Sequence, residues 1–298
     1  MALGTAITDI APIFNKGLII GCGLIGGSLG DGLVHGRVLG EVLGYDANTS
    51  HANIALRKKF IDEVAPNLEE AAERADVIIL AVPVGRTDEL VRRLGQCAAA
   101  NAVIVDTGSV KQLFARQCEE NLPPTLERRA VPCHPIAGHV SAGPQSADRA
   151  LMAGRPMIMT PGPSTDADAV KRVAQMWRRI GFDVIEMAAQ EHDALYADLS
   201  HMPHIMAFAL MRYIRSRGLK SSTLKILAGN AFKDMTYHAG HNADMWRDIF
   251  RGNRREISRS LAGFRQSLDE LELAINSEDE EHLQYLLTQL QEARLNAW

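Results

Sequence analysis

At 298 residues the chain is long enough to bury a large core and to divide into two domains. Its 46% hydrophobic and 23% charged residues are ordinary globular values, which excludes disordered and fibrous classes. A net charge of −4 with no basic patch argues against nucleic acid as a partner.

Four cysteines, Cys22, Cys97, Cys118 and Cys133, are widely spaced and form no C-x-x-C pair, as expected of reduced thiols in a cytoplasmic protein. The uncharged stretch 17–30 is too short and too rich in glycine to span a bilayer, and it follows Asp9 rather than a basic segment. Neither an export signal nor a membrane anchor is expected.

Residues 18–20 read as a buried strand that turns through Gly21, Gly23 and Gly26, a G-x-G-x-x-G spacing, into a helix over 24–35. Gly21 permits the turn, Gly23 leaves room for a pyrophosphate, and Gly26 lets the helix lie close on the strand. Leu24 and Ile25 open that helix, whose free N–H groups suit phosphate. A second apolar run, 42–45, ends at Asp46, twenty positions after Gly26, where an acidic side chain would bind an adenosine ribose. A carboxylate there accepts from a ribose 2′-OH and repels a 2′-phosphate. No arginine in 47–50 compensates, so NAD is expected rather than NADP.

A helix over 48–59 follows, then one from a cap at Asn67 to residue 74. Strand 77–82, stopped by Pro83, precedes a helix over 87–97 and a strand over 102–105. These strands are continuously apolar, as in a sheet covered by helices on both faces. Strands and helices alternate, which predicts an α/β, doubly wound parallel sheet. Further strands are expected over 131–133, 156–159 and 183–187, with a helix from a Thr165 cap to Ile180, stopped by Gly181.

Beyond residue 190 the pattern is wholly helical. A helix over 194–217 is expected to kink at Pro203, and a long one over 246–275 precedes a last helix marked by Leu283 to Leu290. Ile257, Leu261, Phe264, Leu268, Leu271 and Ile275 alternate spacings of four and three, a seam that suits either an internal core or a subunit interface. The expected division is 1–188 and 189–298.

Four clusters carry polar groups suited to chemistry. In Asp106-Thr-Gly-Ser-Val-Lys111, just past a strand, Asp106 and Ser109 suit either a crevice or the cap of the next helix. In His134-Pro-Ile-Ala-Gly138 a histidine can take a proton from a hydroxyl, or simply sit in a surface loop. Ser200-His-Met-Pro-His204 offers His201 and His204, and His238-x-x-His241 offers another pair. Such spacing permits a metal, but no Cys, Asp or Glu completes a zinc set, so no metal is expected and hydrogen bonding or packing is favoured. In Asp244-Met-Trp-Arg247, Arg247 can clamp a carboxylate or join a surface ion pair.

These motifs, with Gly21-Cys-Gly-Leu-Ile-Gly-Gly-Ser28 ahead and Met245-Trp-Arg-Asp-Ile249 behind, stand in the order seen in the prephenate dehydrogenase family, which includes arogenate and cyclohexadienyl dehydrogenases of tyrosine biosynthesis. The chain resembles that family over nearly its whole length. The resemblance implies a Rossmann-type domain followed by an all-helical dimerisation domain, and hence a homodimer. It also implies NAD(P)-dependent oxidative decarboxylation: prephenate to 4-hydroxyphenylpyruvate and CO2, or arogenate to tyrosine.

By the same resemblance His134 accepts the proton of the ring hydroxyl, and Ser109 assists it. Arg247 binds a substrate carboxylate, and His201 and His204 belong to the pocket. Val82, Pro83 and Asp106 join Gly21, Gly23, Leu24, Ile25, Gly26 and Asp46 around the cofactor. The loop reads His139-Val140 where family members often have Thr-Glu, which places His139 in the pocket and bears on how the substrate side chain is read. Two rivals are another two-domain hydroxyacid dehydrogenase with a catalytic lysine in the helical domain, for which Lys220, Lys225 and Lys233 stand in no defensible motif, and a non-enzymatic NAD sensor.

Overall fold

The structure, a computed structural model, describes residues 11–137 and 143–297. A six-stranded, all-parallel sheet forms the first half: β1 (Phe14–Ile20), β2 (Leu39–Tyr45), β3 (Glu63–Val64), β4 (Val77–Leu80), β5 (Val103–Asp106) and β6 (Ala130–Val131), in the order 3-2-1-4-5-6. Helices α1 (Leu24–His35), α2 (Thr49–Arg57), α3 (Leu68–Arg74), α4 (Thr87–Cys97), α5 (Lys111–Asn121) and the short α6 (Pro124–Glu127) connect them.

The central stretches of β1, β2, β4 and β5 are continuously apolar because both faces of the sheet are covered. Ile19, Val42, Ile79, Val103 and Val105 face one core with Leu29 and Trp177, while Leu18, Ile20, Leu43, Ile78, Leu80 and Ile104 face the other with Leu68, Leu94 and Phe114. The strand order reverses between β1 and β4, and at such a switch point the crevice outside the carboxyl ends of the strands is open to a ligand.

The strand expected over 131–133 is divided. Val131 closes the large sheet, Pro132 has no N–H for a ladder, and β7 (Cys133–Pro135) starts a second sheet. There β7 lies antiparallel to β8 (Pro156–Met159), which runs parallel to β9 (Asp183–Glu186). Between β8 and β9 lies α7 (Ala167–Arg179). Its cap is Asp166, which accepts from the Asp168 and Ala169 N–H groups, whereas the expected cap Thr165 accepts from Gly162 N–H instead. Gly181, at φ +99°, ends the helix as expected. Strand β4 stops at Leu80, short of Val82.

The second half holds α8 (Ala189–Tyr196), α9 (Met202–Ser216), α10 (Ser221–Leu227), α11 (Asn230–Thr236), α12 (Ala243–Gly252), α13 (Arg254–Asn276) and α14 (Glu280–Asn296). The helix expected over 194–217 is two helices joined by a π-turn at Ala197–His201. Pro203 explains the turn: it lacks an N–H for the carbonyl four residues back, and its ring pushes that turn open. The helix expected over 246–275 breaks at Asn253, whose Nδ2 donates to the Asp193 carbonyl at 2.7 Å. Along the expected seam Ile257 is buried, while Leu268 and Ile275 are 48% and 66% exposed, so its C-terminal part is not an internal core of this chain.

Candidate active site

The glycine turn has the geometry its spacing predicts. Gly21 adopts φ +96°, and a Cβ there would strike the Ala81 carbonyl oxygen. A Cβ on Gly26 would lie on the Gly21 carbonyl oxygen, so helix and strand touch backbone to backbone. A Cβ on Gly23 would meet nothing within 4 Å. Gly23 is also the N-cap of α1 with no side chain capping it, so open space and unclaimed N–H groups coincide. This cradle fits a dinucleotide pyrophosphate.

Asp46 closes the far side. Its Oδ2 accepts from Cys22 N–H and its Oδ1 from Asn48 N–H, both at 2.8 Å, which ties the end of β2 to the glycine turn. His51 Nδ1 stands 3.5 Å from the same carboxylate, a neighbour that no motif marks. Val82 lines the turn, its Cγ1 at 3.0 Å from a Cβ built on Gly21, and Leu24 and Ile25 start α1 half-buried. Pro83 is exposed beside the turn Val84–Arg86.

Asp106 departs from its expected place against the cofactor. It is 1% exposed, and its carboxylate faces inward onto the Lys111 ammonium (2.7 Å to Oδ1) and the N–H groups of Gly108 and Cys133 (3.0 Å each). Lys111, 0% exposed, also donates to the Cys133 carbonyl. This buried pair clamps the first residue of β7 to the end of β5 and so fixes His134, the next residue. Nor is Asp106 or Ser109 the cap of α5. That part belongs to Asp193 of α8, whose two oxygens accept from Lys111 N–H at 2.8 Å and Gln112 N–H at 2.9 Å. Ser109 sits half-buried just ahead of these two N–H groups.

Asp193 also reaches the candidate base. His192 Nδ1 lies 2.8 Å from Asp193 Oδ1, and His192 Nε2 lies 2.8 Å from His134 Nδ1. A carboxylate only accepts, so the network assigns each tautomer: His192 Nδ1–H donates to Asp193, and His134 Nδ1–H donates to His192 Nε2. His134 Nε2 is left with its lone pair. A base oriented by a second group, itself held by a third, is the arrangement proton abstraction requires. His192 and Asp193 are 0% and 1% exposed, and Tyr196 stacks on the His192 ring. Adjacent residues on one helix show no catalytic spacing, so nothing in the sequence gives this pair a role; only the fold brings them to β7.

The helical half meets the crevice through α12. Trp246 and Ile249 are buried with Val84 and Val110, and Asp248 packs on Gly85. Arg247 faces outward, its side chain 56% exposed and ion-paired at 2.8 Å to both Asp244 and Asp248. His201, expected in the pocket, is instead 1% exposed inside the domain, its Nδ1 3.2 Å from Asn253 Nδ2. Its Nε2 is buried with no hydrogen-bond partner among the described residues. His204 lies under Trp246 with ring centroids 3.5 Å apart; its Nδ1 is bonded to the Ser200 carbonyl and its Nε2 lies 3.0 Å from His241 Nδ1. His139 lies outside the described residues, as do Gly138 and Val140. Lys220, Lys225 and Lys233 are exposed.

The family model described as prephenate dehydrogenase, nucleotide-binding domain, matches residues 35–186, and that described as prephenate dehydrogenase, dimerization domain, matches 188–289. The chain belongs to the prephenate dehydrogenase family. Among curated relatives, the cyclohexadienyl dehydrogenase of Zymomonas mobilis is 31% identical over 95% of this chain and 96% of its own. The prephenate dehydrogenase of Bacillus subtilis is 28% identical over 89% and 71%. Among solved structures, the prephenate dehydrogenase from A. aeolicus in complex with hydroxyphenyl propionate and NAD+ superposes with a TM-score of 0.88 at 31% identity, covering 95% of this chain and 98% of that one. The Synechocystis arogenate dehydrogenase superposes with a TM-score of 0.80 at 25% identity, over 95% and 100%.

Within this prephenate dehydrogenase framework the nucleotide-binding match begins after the glycine turn, so the pyrophosphate cradle rests on its own geometry. The relay runs across the boundary between the two matches: His134 lies in the first and the His192–Asp193 pair in the second.

Proposed function

We propose that the chain catalyses NAD-dependent oxidative decarboxylation of prephenate or arogenate, with His134 as general base. The observation that carries this is the His134–His192–Asp193 relay, which leaves His134 Nε2 unprotonated beside the cofactor crevice. Gly21, Gly23, Gly26, Leu24 and Ile25 would hold the pyrophosphate, with Val82 and Pro83 beside them and Asp46 on the adenosine ribose. Bound NAD supplies the oxidant for the hydroxyl-bearing ring carbon. His134 Nε2 takes the hydroxyl proton, and the imidazolium that forms is stabilised through His192 by the Asp193 carboxylate. Ser109 steadies the same hydroxyl. Dienone character in the ring then lets the opposite carbon release CO2, driven by aromatisation.

Arg247 binds a substrate carboxylate by exchanging one of its aspartate partners for it, and His204 lines the pocket. Residues 1–188 form the cofactor half and 189–298 the half that pairs two subunits. The exposed Leu268, Ile275, Leu287 and Leu290 support a homodimer through α13 and α14. Four free thiols support a cytoplasmic location, and among the described residues no helix is long and apolar enough to cross a membrane.

The His134→Asn variant tests the assignment. It should fold and bind substrate as the parent does while kcat falls by about 10²–10⁴-fold with either prephenate or arogenate, whichever is turned over. Turnover near that of the parent would remove His134 from this role.

A further inference from the structure

His204, His238 and His241 come from two elements and converge. His238 lies in the 3₁₀ turn Tyr237–Gly240 and His241 is its C-cap. With three residues per turn, positions three apart eclipse one another, so both imidazoles share one side of the turn. That turn packs on α9, which carries His204. The ring centroid of His204 is 4.3 Å from that of His238 and 5.1 Å from that of His241, and the last two are 5.2 Å apart. One nitrogen from each ring lies within 4.8 Å of the other two.

We propose that these three histidines form a site for a divalent transition ion of the Zn²⁺ class, with the fourth coordination position open. Tetrahedral zinc with Zn–N bonds of about 2.0–2.1 Å places its nitrogens about 3.3 Å from one another. His204 Nε2 and His241 Nδ1, 3.0 Å apart, already have nearly that spacing. His204 is also prepared as a ligand: its Nδ1–H donates to the Ser200 carbonyl at 2.8 Å, which leaves the Nε2 lone pair facing the cluster. A ligating histidine characteristically donates its other N–H to a backbone carbonyl in this way. His238 Nδ1 is buried and has no hydrogen-bond partner among the described residues. Such an unmet group is costly, and an ion would satisfy it. Burial lowers the pKa of His204 to about 4 and lowers that of His241, so both are neutral, as ligands must be, at physiological pH.

The sequence pairs His201 with His204 and His238 with His241 by spacing alone. The fold replaces the first pair, since His201 turns inward to Asn253. An ion here would hold His204 and occupy the side of the pocket assigned to substrate. This consequence, unlike the metal site, rests on the functional reading above.

The test is titration of the metal-free full chain with Zn²⁺ against a chromophoric chelator, and with Co²⁺ read in the visible. The parent should bind a single ion per chain and give the intense d–d bands of four-coordinate Co²⁺. His238→Gln and His241→Gln, both at half-buried positions, should keep the parent's circular dichroism and weaken binding by at least about 100-fold, the upper range for losing an outer-shell partner. Equal binding by parent and variants, or the weak spectrum of six-coordinate Co²⁺, would overturn the site. Prephenate should weaken Zn²⁺ binding, and Zn²⁺ should inhibit the parent competitively but not the two variants. Turnover of prephenate unaffected by saturating Zn²⁺ would overturn the shared pocket. Absence of any turnover would contradict the functional reading while the binding titration still decides the metal site.

Discussion

Two opposed effects set the proton affinity of His134. Burial and the neighbouring His192 imidazole lower its pKa well below the ordinary value of about 6.5. The relay to Asp193 acts the other way once the proton has arrived, because the carboxylate favours imidazolium. A depressed pKa keeps the ring neutral to lower pH, and a general base works only when neutral. The acid limb of kcat/KM, which reports the free enzyme, should therefore fall below pH 6.5; a limb centred at or above 6.5 would contradict the placement. Arg247 is of a different kind. It is exposed and supports no core contact, and a carboxylate bound to it is held in ground and transition states alike. Arg247→Gln should raise KM with little change in kcat or thermal stability, and steady-state kinetics showing a large fall in kcat at unchanged KM would exclude this role.

The clamp between β5 and β7 is the element on which the site depends. Strands end where their ladders end, and the end of β5 carries Asp106 into the interior, where its charge must be met. Lys111, one turn into the polypeptide that follows, meets it and also holds Cys133. Removing one partner of a buried ion pair leaves the other charge uncompensated, at a cost of about 3–5 kcal/mol. Lys111→Met should lose that much stability in denaturant unfolding, and Asp106→Leu in the same chain should recover part of it. Full stability of the single variant would show that the pair contributes nothing. The sequence made the longer strands and most helices of the first half legible, since a two-sided core writes continuous apolar runs and Asn67 writes its own cap, whereas the two-residue strand β3 left no such run. It concealed what depends on distant partners. Asp193 caps α5 from 81–82 residues away, Pro132 shifts the chain from one sheet to another, and Asn253 breaks the expected helix through a bond to the Asp193 carbonyl, 60 residues away.

Across the whole molecule, the cofactor half presents its crevice where the strand order reverses, and the helical half closes against it through Trp246 and Ile249. The glycine turn and the acidic residue that follows β2 were legible because both are local features. His134 was legible only as a candidate, since its partners His192 and Asp193 lie 58 or more residues away in sequence. The burial of His201 and Asp106 was not legible, because residue type and spacing do not reveal which way a side chain faces. Both halves must act together for the reaction to run to completion, so its stoichiometry tests the account most directly. With prephenate and NAD the purified chain should form NADH, CO2 and 4-hydroxyphenylpyruvate in equal amounts, or NADH, CO2 and tyrosine with arogenate, at a kcat/KM well above that with NADP. No NADH from either cyclohexadiene, or NADH without an equal amount of CO2, would contradict it.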